Sequence, residues 1–392
     1  MTRVLRTARL GAILTFVLAG VMCGTYTVRI PALTDKLGMS EAEVGIVLLA
    51  WGLGALVTMQ AMRGIMGRVG SRGVLRVSAP LCAGTLALVA FAWSVPVLVV
   101  ASVVFGMAFG AVDVAMSAQG SAVERRAGRP LLSGMHAGWC VGAISAGLLG
   151  TAAIAAGLSL TAHILLIALI SLPASMVLSR FYLNDRIRTA EAGTRQRLPG
   201  VVYLLGVITF GAFMVEGVVA DWNGLYLRDS LNAPEALAAL GYPIFEGGML
   251  LGRLSGDRLR LRFGAPGLIA FSGLATAATY GAVILVASPV VAVAGMLFVG
   301  IAVAMISPMA LSLAGTASAT PGPAIAQTGA MGYAGLLLGP VLIGFLSGAT
   351  SLRLAMVTAV VLGVLIAVAA RFLPRSRTAG IEPADERVPI AA

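Results

Sequence analysis

The residues best suited to chemistry in this sequence are acidic side chains set inside long apolar runs. Asp113, Glu216, Asp221 and Glu246 all lie where the surrounding chain is otherwise almost uncharged. An ionised group in hydrocarbon costs about 2.5–3.5 kcal/mol on insertion scales, so each requires a wet cavity, a partner or a proton. A carboxyl withdrawn from water favours its neutral form and exchanges a proton as a cavity opens to either side, the property that proton coupling needs. Asp113 lies eleven residues before Glu124, roughly 16 Å of helix, near the middle of its run. With Gly106, Gly110, Ser117 and Gly120 it forms a stripe of small and polar groups that must face protein or cavity rather than lipid. Glu216 is similarly deep, on a stripe with Thr209, Ala212, Ala220 and Asn223. Both are candidates for a coupling proton, the competing reading being a carboxyl paired with an arginine or bonded to neighbouring helices. His136, whose side chain titrates near neutrality, is a third candidate; the alternative is a packing residue.

Other side chains suit a cavity wall. Trp51 and Trp139 offer faces for a solute ring, although core packing explains them equally well. Gln119, Asn223, Gln327 and Tyr333 carry neutral groups that bind hydroxyls or amides, Arg29 is a partner for an acid, and Asp221 and Glu246 complete the cavity set. Metal chemistry has few ligands: His136 and His163, and Cys23, Cys82 and Cys140 with no C-x-x-C. No G-x-x-x-x-G-K-[ST] loop occurs, so nucleotide is not the visible energy source, and no cofactor is expected.

These groups must be positioned by membrane helices. Of 392 residues 59% are hydrophobic and only 11% charged, against about 45–50% and 25% in soluble domains; mean hydropathy is +0.97. Such a chain is neither soluble nor disordered, and no basic patch extends into a soluble domain to bind nucleic acid despite the net charge of +11. A span needs roughly 20 apolar residues. Charged or Pro/Gly-rich breaks divide the chain into runs at 10–30, 43–63, 74–94, 96–122, 131–157, 160–181, 200–226, 238–256, 266–287, 289–313, 323–348 and 351–373. The first run imitates a signal peptide behind Arg3, Arg6 and Arg9, but its length makes it a retained span. With the N-terminus inside, only Arg29, Lys36, Arg228 and Arg353 of 27 Lys and Arg fall outside, which places both termini in the cytoplasm. Trp93, Trp222 and Tyr226 then read as interfacial aromatics at outer helix ends. Residues 1–181 form a six-helix bundle, 182–199 a cytoplasmic linker carrying Arg186, Arg188, Arg195 and Arg197, 200–373 a second six-helix bundle, and 374–392 a disordered cytoplasmic tail.

The halves repeat at an offset of about 195 residues. Asp113–Ala122 faces Pro308–Ala317 with four identities, and Arg68-Val69-Gly70 faces Arg262-Phe263-Gly264 at an offset of 194. Parallel repeats put a solute site between the halves near the midplane. The twelve spans, the long central loop and Gly252-Arg253-Leu254-Ser255-Gly256-Asp257-Arg258 resemble the major facilitator superfamily. The first-half copy, Arg63 to Arg72, has Gly67 where that family usually places an Asp. The segments Asp113–Gly138 and Asp221–Asp229 are similar to a poorly characterised bacterial branch labelled sugar-like or general transporters. The resemblance implies an all-α integral membrane fold of two six-helix bundles related by a pseudo-two-fold axis, with a cytoplasmic gate at Arg68, Arg72, Arg253, Asp257 and Arg258. It implies a secondary transporter that moves a small organic solute by alternating access, coupled to protons and complete as a monomer in the bilayer. The glycine runs Gly134, Gly138, Gly142 and Gly248, Gly252, Gly256 are expected at moving contacts. The alternatives are a proton/drug efflux antiporter, a passive facilitator and, remotely, a membrane-embedded transferase. Drug/proton antiporters of the family that the sequence resembles typically carry a Gly-Pro pair in span five, and the absence of a proline there is set against the efflux reading; no His and Asp cluster suits transfer chemistry.

Overall fold

The computed structural model describes residues 3–128, 131–185, 198–318 and 321–374, and among them every regular element is helical. The linker arginines Arg186, Arg188, Arg195 and Arg197, the tail beyond 374 and the side chain of Asp257 lie outside the described residues. The first half comprises α1 (Arg3–Val28), α2 (Ile30–Leu37), α3 (Glu41–Ala90), α4 (Val95–Ala127), α5 (Leu132–Ala155) and α6 (Leu160–Leu178). The second begins with α7 (Gly200–Leu225), which runs into a π-helical turn (Tyr226–Ser230), then α8 (Glu235–Phe263) and α9 (Ala265–Val286). It ends with α10 (Pro289–Val303), α11 (Ile306–Thr316), α12 (Pro321–Ala349), α13 (Leu352–Ala355) and α14 (Val357–Ala370).

Eleven helices among the described residues are long and apolar enough to cross a bilayer, with α3 supplying two and α10–α11 together supplying one. The run predicted at 238–256 lies within α8, a 29-residue helix whose Glu246, Arg253 and terminal arginines lower its hydropathy below the rest. Local chemistry explains the boundaries. Ser40 and Glu43 form a capping box at the start of α3, Ser40 N–H donating to Glu43 Oε2 at 2.9 Å. Gly70 (φ 73°) breaks α3 and Gly264 (φ 73°) ends α8, a left-handed backbone that glycine adopts without strain. These are the two glycines that the repeat aligned. Pro308 has no N–H for the Ala304 carbonyl, and the predicted run 289–313 is interrupted there between α10 and α11.

Close packing within each half rests on glycines, and the contacts recur at one offset. A Cβ on Gly106 would collide with the Trp51 carbonyl, and one on Gly300 with the Phe245 carbonyl. Gly54 against Val103 and Gly248 against Leu297 repeat this, each residue of the second pair lying 194 positions after its counterpart. Gly142 packs on the Val17 carbonyl and Gly335 on that of Phe210, 193 positions later. The two halves meet along α3 with α12 and α5 with α8: Gly45 lies against the Pro340 carbonyl, Gly344 against that of Glu41, and Gly147 against the Pro243 ring. These contacts sit toward the end of the bundle that carries the short connections 38–40, 91–94 and 231–234, called here the loop end. At the other end, where α1 starts and α14 finishes, a Cβ on Gly64 or Gly134 would meet nothing within 4 Å.

One expectation fails on packing. Trp222 and Tyr226 are wholly buried and are not interfacial; only Trp93, 77% exposed, stands outside the fold. Their position near a helix end is legible in the sequence, but the face they occupy is decided by the packing of the surrounding helices. The glycine runs Gly138–Gly142 and Gly248–Gly252 pack α5 on α1 and α8 on α10. They are contacts within a half.

Candidate functional site

A cavity of about 290 Å³ lies between the halves, walled by α3, α4 and α5 on one side and α7, α8 and α12 on the other. Apolar side chains, among them Leu48, Leu56, Met59, Met116, Leu336 and Leu337, make most of its surface. An aromatic wall crosses it: the Trp51 ring is 5.5 Å from Phe109, which is 5.7 Å from Trp139 in an edge-on arrangement. Phe213 and Tyr333 face one another edge-on at 5.8 Å. The charged groups at the wall are Asp113, Asp221 and Arg253, with His136 beside them.

Asp113 comes from α4 because the Gly106 and Gly110 turns press that helix onto α3, leaving the next turn to face the cavity. Tyr333 of α12 donates its hydroxyl to Asp113 Oδ2 at 3.2 Å, a hydrogen bond that joins the two halves. His136 sits at the mouth of α5 with its ring 4.8 Å from Phe16. Glu216 of α7 lies just behind the wall, where Ser307 donates to its Oε1 at 3.3 Å and Arg253 Nη2 approaches Oε2 at 3.8 Å. Arg253 also donates to Cys140 Sγ at 3.2 Å across the halves. Glu246 is 8% exposed and lies near the same thiol. Asp221 borders the cavity with no hydrogen bond or ion pair among the described residues.

The structure therefore brings Asp113, His136, Trp51, Trp139, Asp221 and Tyr333 to one cavity, together with Arg253 from the expected gate, and sets the other cavity candidates elsewhere. Arg29 is at the loop end, 2% exposed, donating from Nε to His163 Nδ1 at 3.0 Å and lying 3.7 Å from Glu235. It is displaced from the cavity because α1 ends one residue before it. Gln119 is buried beyond the cavity, its Oε1 2.6 Å from Ser71 Oγ, which is also 2.8 Å from Asp185 Oδ1; the single hydroxyl proton serves one of them at a time. Asn223 is buried against Gly241 with neither amide atom partnered among the described residues. Glu246 is behind the wall, and Gln327 stands on α12 away from it.

Of the gate residues, Arg68 and Arg258 are exposed and Arg72 is partly buried with its Nε unpartnered among the described residues. Arg253 is not at the surface. The helix continues to Phe263, ten residues or roughly 15 Å further, and this sets Arg253 inside the protein. Phe109, Phe213, Cys140 and Ser307 were not singled out from the sequence. Phe109 and Phe213 precede Asp113 and Glu216 by four and three residues, a helical spacing that could have placed them on the same faces.

Comparison with known proteins agrees over nearly the whole length. A family model described as Major Facilitator Superfamily matches residues 12–332. The chain is 33% identical over 367 residues to the uncharacterized transporter y4wD of Sinorhizobium fredii, covering 91% of this chain and 96% of that one. It is 29% identical over 379 residues to the membrane protein MosC of Rhizobium meliloti, covering 94% and 90%. Among solved structures it superposes on a bacterial homolog of the human lysosomal transporter Spinster, inward-facing and unoccupied, with TM-score 0.77 at 14% identity over 95% of this chain and 98% of that one. A D-xylose–proton symporter gives TM-score 0.76 at 17% identity over 95% and 98%.

Proposed function

The chain belongs to the major facilitator superfamily, and from that premise we propose that it is a proton-coupled secondary transporter of a small organic solute, working by alternating access. In this reading α8 is the eighth of twelve spans, and the two halves are six-helix bundles related by a pseudo-two-fold axis; the glycine contacts repeated at offsets of 193–194 support it. The scarcity of Lys and Arg at the loop end supports cytoplasmic termini in a bacterial inner membrane. The closed loop end and the unpacked glycines at the other end then correspond to a cavity facing the cytoplasm.

The observation that carries the proposal is the Tyr333–Asp113 hydrogen bond across the cavity. A hydroxyl donates more strongly to a carboxylate than to a neutral carboxyl. Protonating Asp113 weakens a bond between the halves, while ionisation restores it, so proton occupancy biases the arrangement of the halves. Glu216, held by Arg253 and Ser307, is the second proton candidate, and Asp257, Arg68, Arg72 and Arg258 remain the proposed inner gate with Arg253 reassigned to the cavity.

The test is flux in proteoliposomes against a panel of amines, sugars and amino acids, with and without an imposed pH gradient. The expected result is accumulation that follows the gradient, and Asp113→Asn abolishes accumulation while exchange of solute persists. Flux that ignores the gradient and survives both Asp113→Asn and Glu216→Gln overturns the coupling.

A further inference from the structure

The charges around the cavity do not balance. Arg253 is the arginine at its wall, and its guanidinium is already engaged by Glu216 and Cys140, with Glu246 close by. Two carboxylates thus face one cation. Asp113 has the Tyr333 hydroxyl. Asp221 has no hydrogen-bond or ion-pair partner among the described residues, and the titratable groups near it there, Cys23 and Tyr26 of α1 and Tyr242 of α8, supply no positive charge. A carboxylate facing an apolar hollow is costly unless a cation or donor meets it. The wall opposite is aromatic, and ring faces attract cations within about 6 Å.

The remaining chemistry narrows the choice. An anionic solute would need a free arginine, and Arg253 is not free. A polyhydroxylated solute would need many donors and acceptors, since each unmatched hydroxyl taken from water costs about 1–3 kcal/mol, and most of this wall is leucine, methionine and aromatic rings. The volume of about 290 Å³ is at the small end of ligand pockets, roughly 300–1,000 Å³. Building on the transporter reading above, we infer that the cavity takes a small organic cation, a protonated amine on a mainly apolar body of about one ring. Asp221 accepts from its ammonium group, and the Trp51–Phe109–Trp139 wall packs against its body.

Binding to the purified full-length protein in detergent, followed by calorimetry, tests this with benzylamine, benzyl alcohol, benzoate and glucose as probes. Benzylamine should bind about tenfold or more tightly than benzyl alcohol, with benzoate and glucose weaker still. Asp221→Asn should bring benzylamine down to the level of the alcohol, and Asp221→Glu, which keeps the charge, should restore the preference; each variant is first confirmed monodisperse by size exclusion. Equal binding of the alcohol, tighter binding of glucose or benzoate, no binding of benzylamine, or a preference that survives Asp221→Asn overturns the inference. The two proposals fail separately. Gradient-driven flux of a sugar, with glucose the tightest probe, would leave the transporter reading standing and remove the cation. Asp221-dependent amine binding without flux of any solute would do the reverse.

Discussion

Arg253 holds together the polar side of the cavity, because Glu216, Cys140 and Glu246 all address it. Removing one partner of such a group costs more than removing both, since an unpaired charge stays behind; in fully buried pairs the cost reaches about 3–5 kcal/mol. Here the Arg253 side chain is 30% exposed and that of Glu216 18%, so water screens part of the pair. Arg253→Met should lower the thermal unfolding midpoint in detergent, Glu216→Gln should lower it less, and the double variant should regain part of the loss. The double-mutant cycle should give a coupling of about 0.5–3 kcal/mol; purely additive losses would mean that the 3.8 Å approach contributes nothing. At this scale the sequence exposed the buried acids, because a carboxyl inside an apolar run is conspicuous. It did not expose their partners. Arg253 reads as a surface residue until the length of α8 is known, and Asp113 and Tyr333 are 220 residues apart, a separation that only the packing of α4 and α12 across the cavity can close.

Helices approach closely where a glycine admits a carbonyl of its neighbour, and these positions set the cavity's shape by fixing α3 against α4 and α7 against α12. A side chain there must push the helices apart, and overpacking costs about 1–3 kcal/mol or more. Gly142→Val and Gly335→Val, at equivalent contacts with the Val17 and Phe210 carbonyls, should each reduce the yield of monodisperse protein and lower its unfolding midpoint by similar amounts. Gly64→Ala, where a Cβ meets nothing within 4 Å, should leave both unchanged. A tolerant Gly335 beside an intolerant Gly142 would break the equivalence of the halves. Eleven of the spans were legible because hydrocarbon demands an uninterrupted apolar run, and the repeat aligned Gly70 with Gly264 without telling that both take positive φ. The short helix α2 and the break before α11 were not. The first carries only eight residues, led by Ile30 and Pro31, with too little periodicity to read, and the second depends on one missing N–H at Pro308.

Across the whole molecule the halves are joined most firmly at the loop end, where Arg228 Nη1 donates to Asp35 Oδ2 at 2.7 Å and to the Pro31 carbonyl at 2.7 Å, and Arg29 faces Glu235 at 3.7 Å. Both ion pairs cross between the halves, so any state that opens this end must break them. Their strengths differ for physical reasons. The Asp35 side chain is 67% exposed, and such pairs contribute about 0–1 kcal/mol; the Pro31 carbonyl adds a charge-assisted hydrogen bond of about 1.5–3 kcal/mol. Arg29 is buried and keeps His163 and the Leu158 carbonyl when Glu235 is lost, so its pair is the weaker link between halves. Arg228→Ala should therefore open the loop end more than Glu235→Gln, by about tenfold in population for each 1.4 kcal/mol removed. A cysteine placed at Leu337, on the cavity wall just below the closure, reports this in a background with Cys23, Cys82 and Cys140 replaced by serine. Its labelling by a membrane-impermeant thiol reagent applied from the loop side should rise in Arg228→Ala and rise modestly at high salt, because salt screens the Asp35 pair but not the carbonyl bond. Labelling unchanged in Arg228→Ala, with the protein still monodisperse, would assign closure to the glycine contacts of α3 and α12 instead, and Gly45→Ala would then be the substitution that opens it.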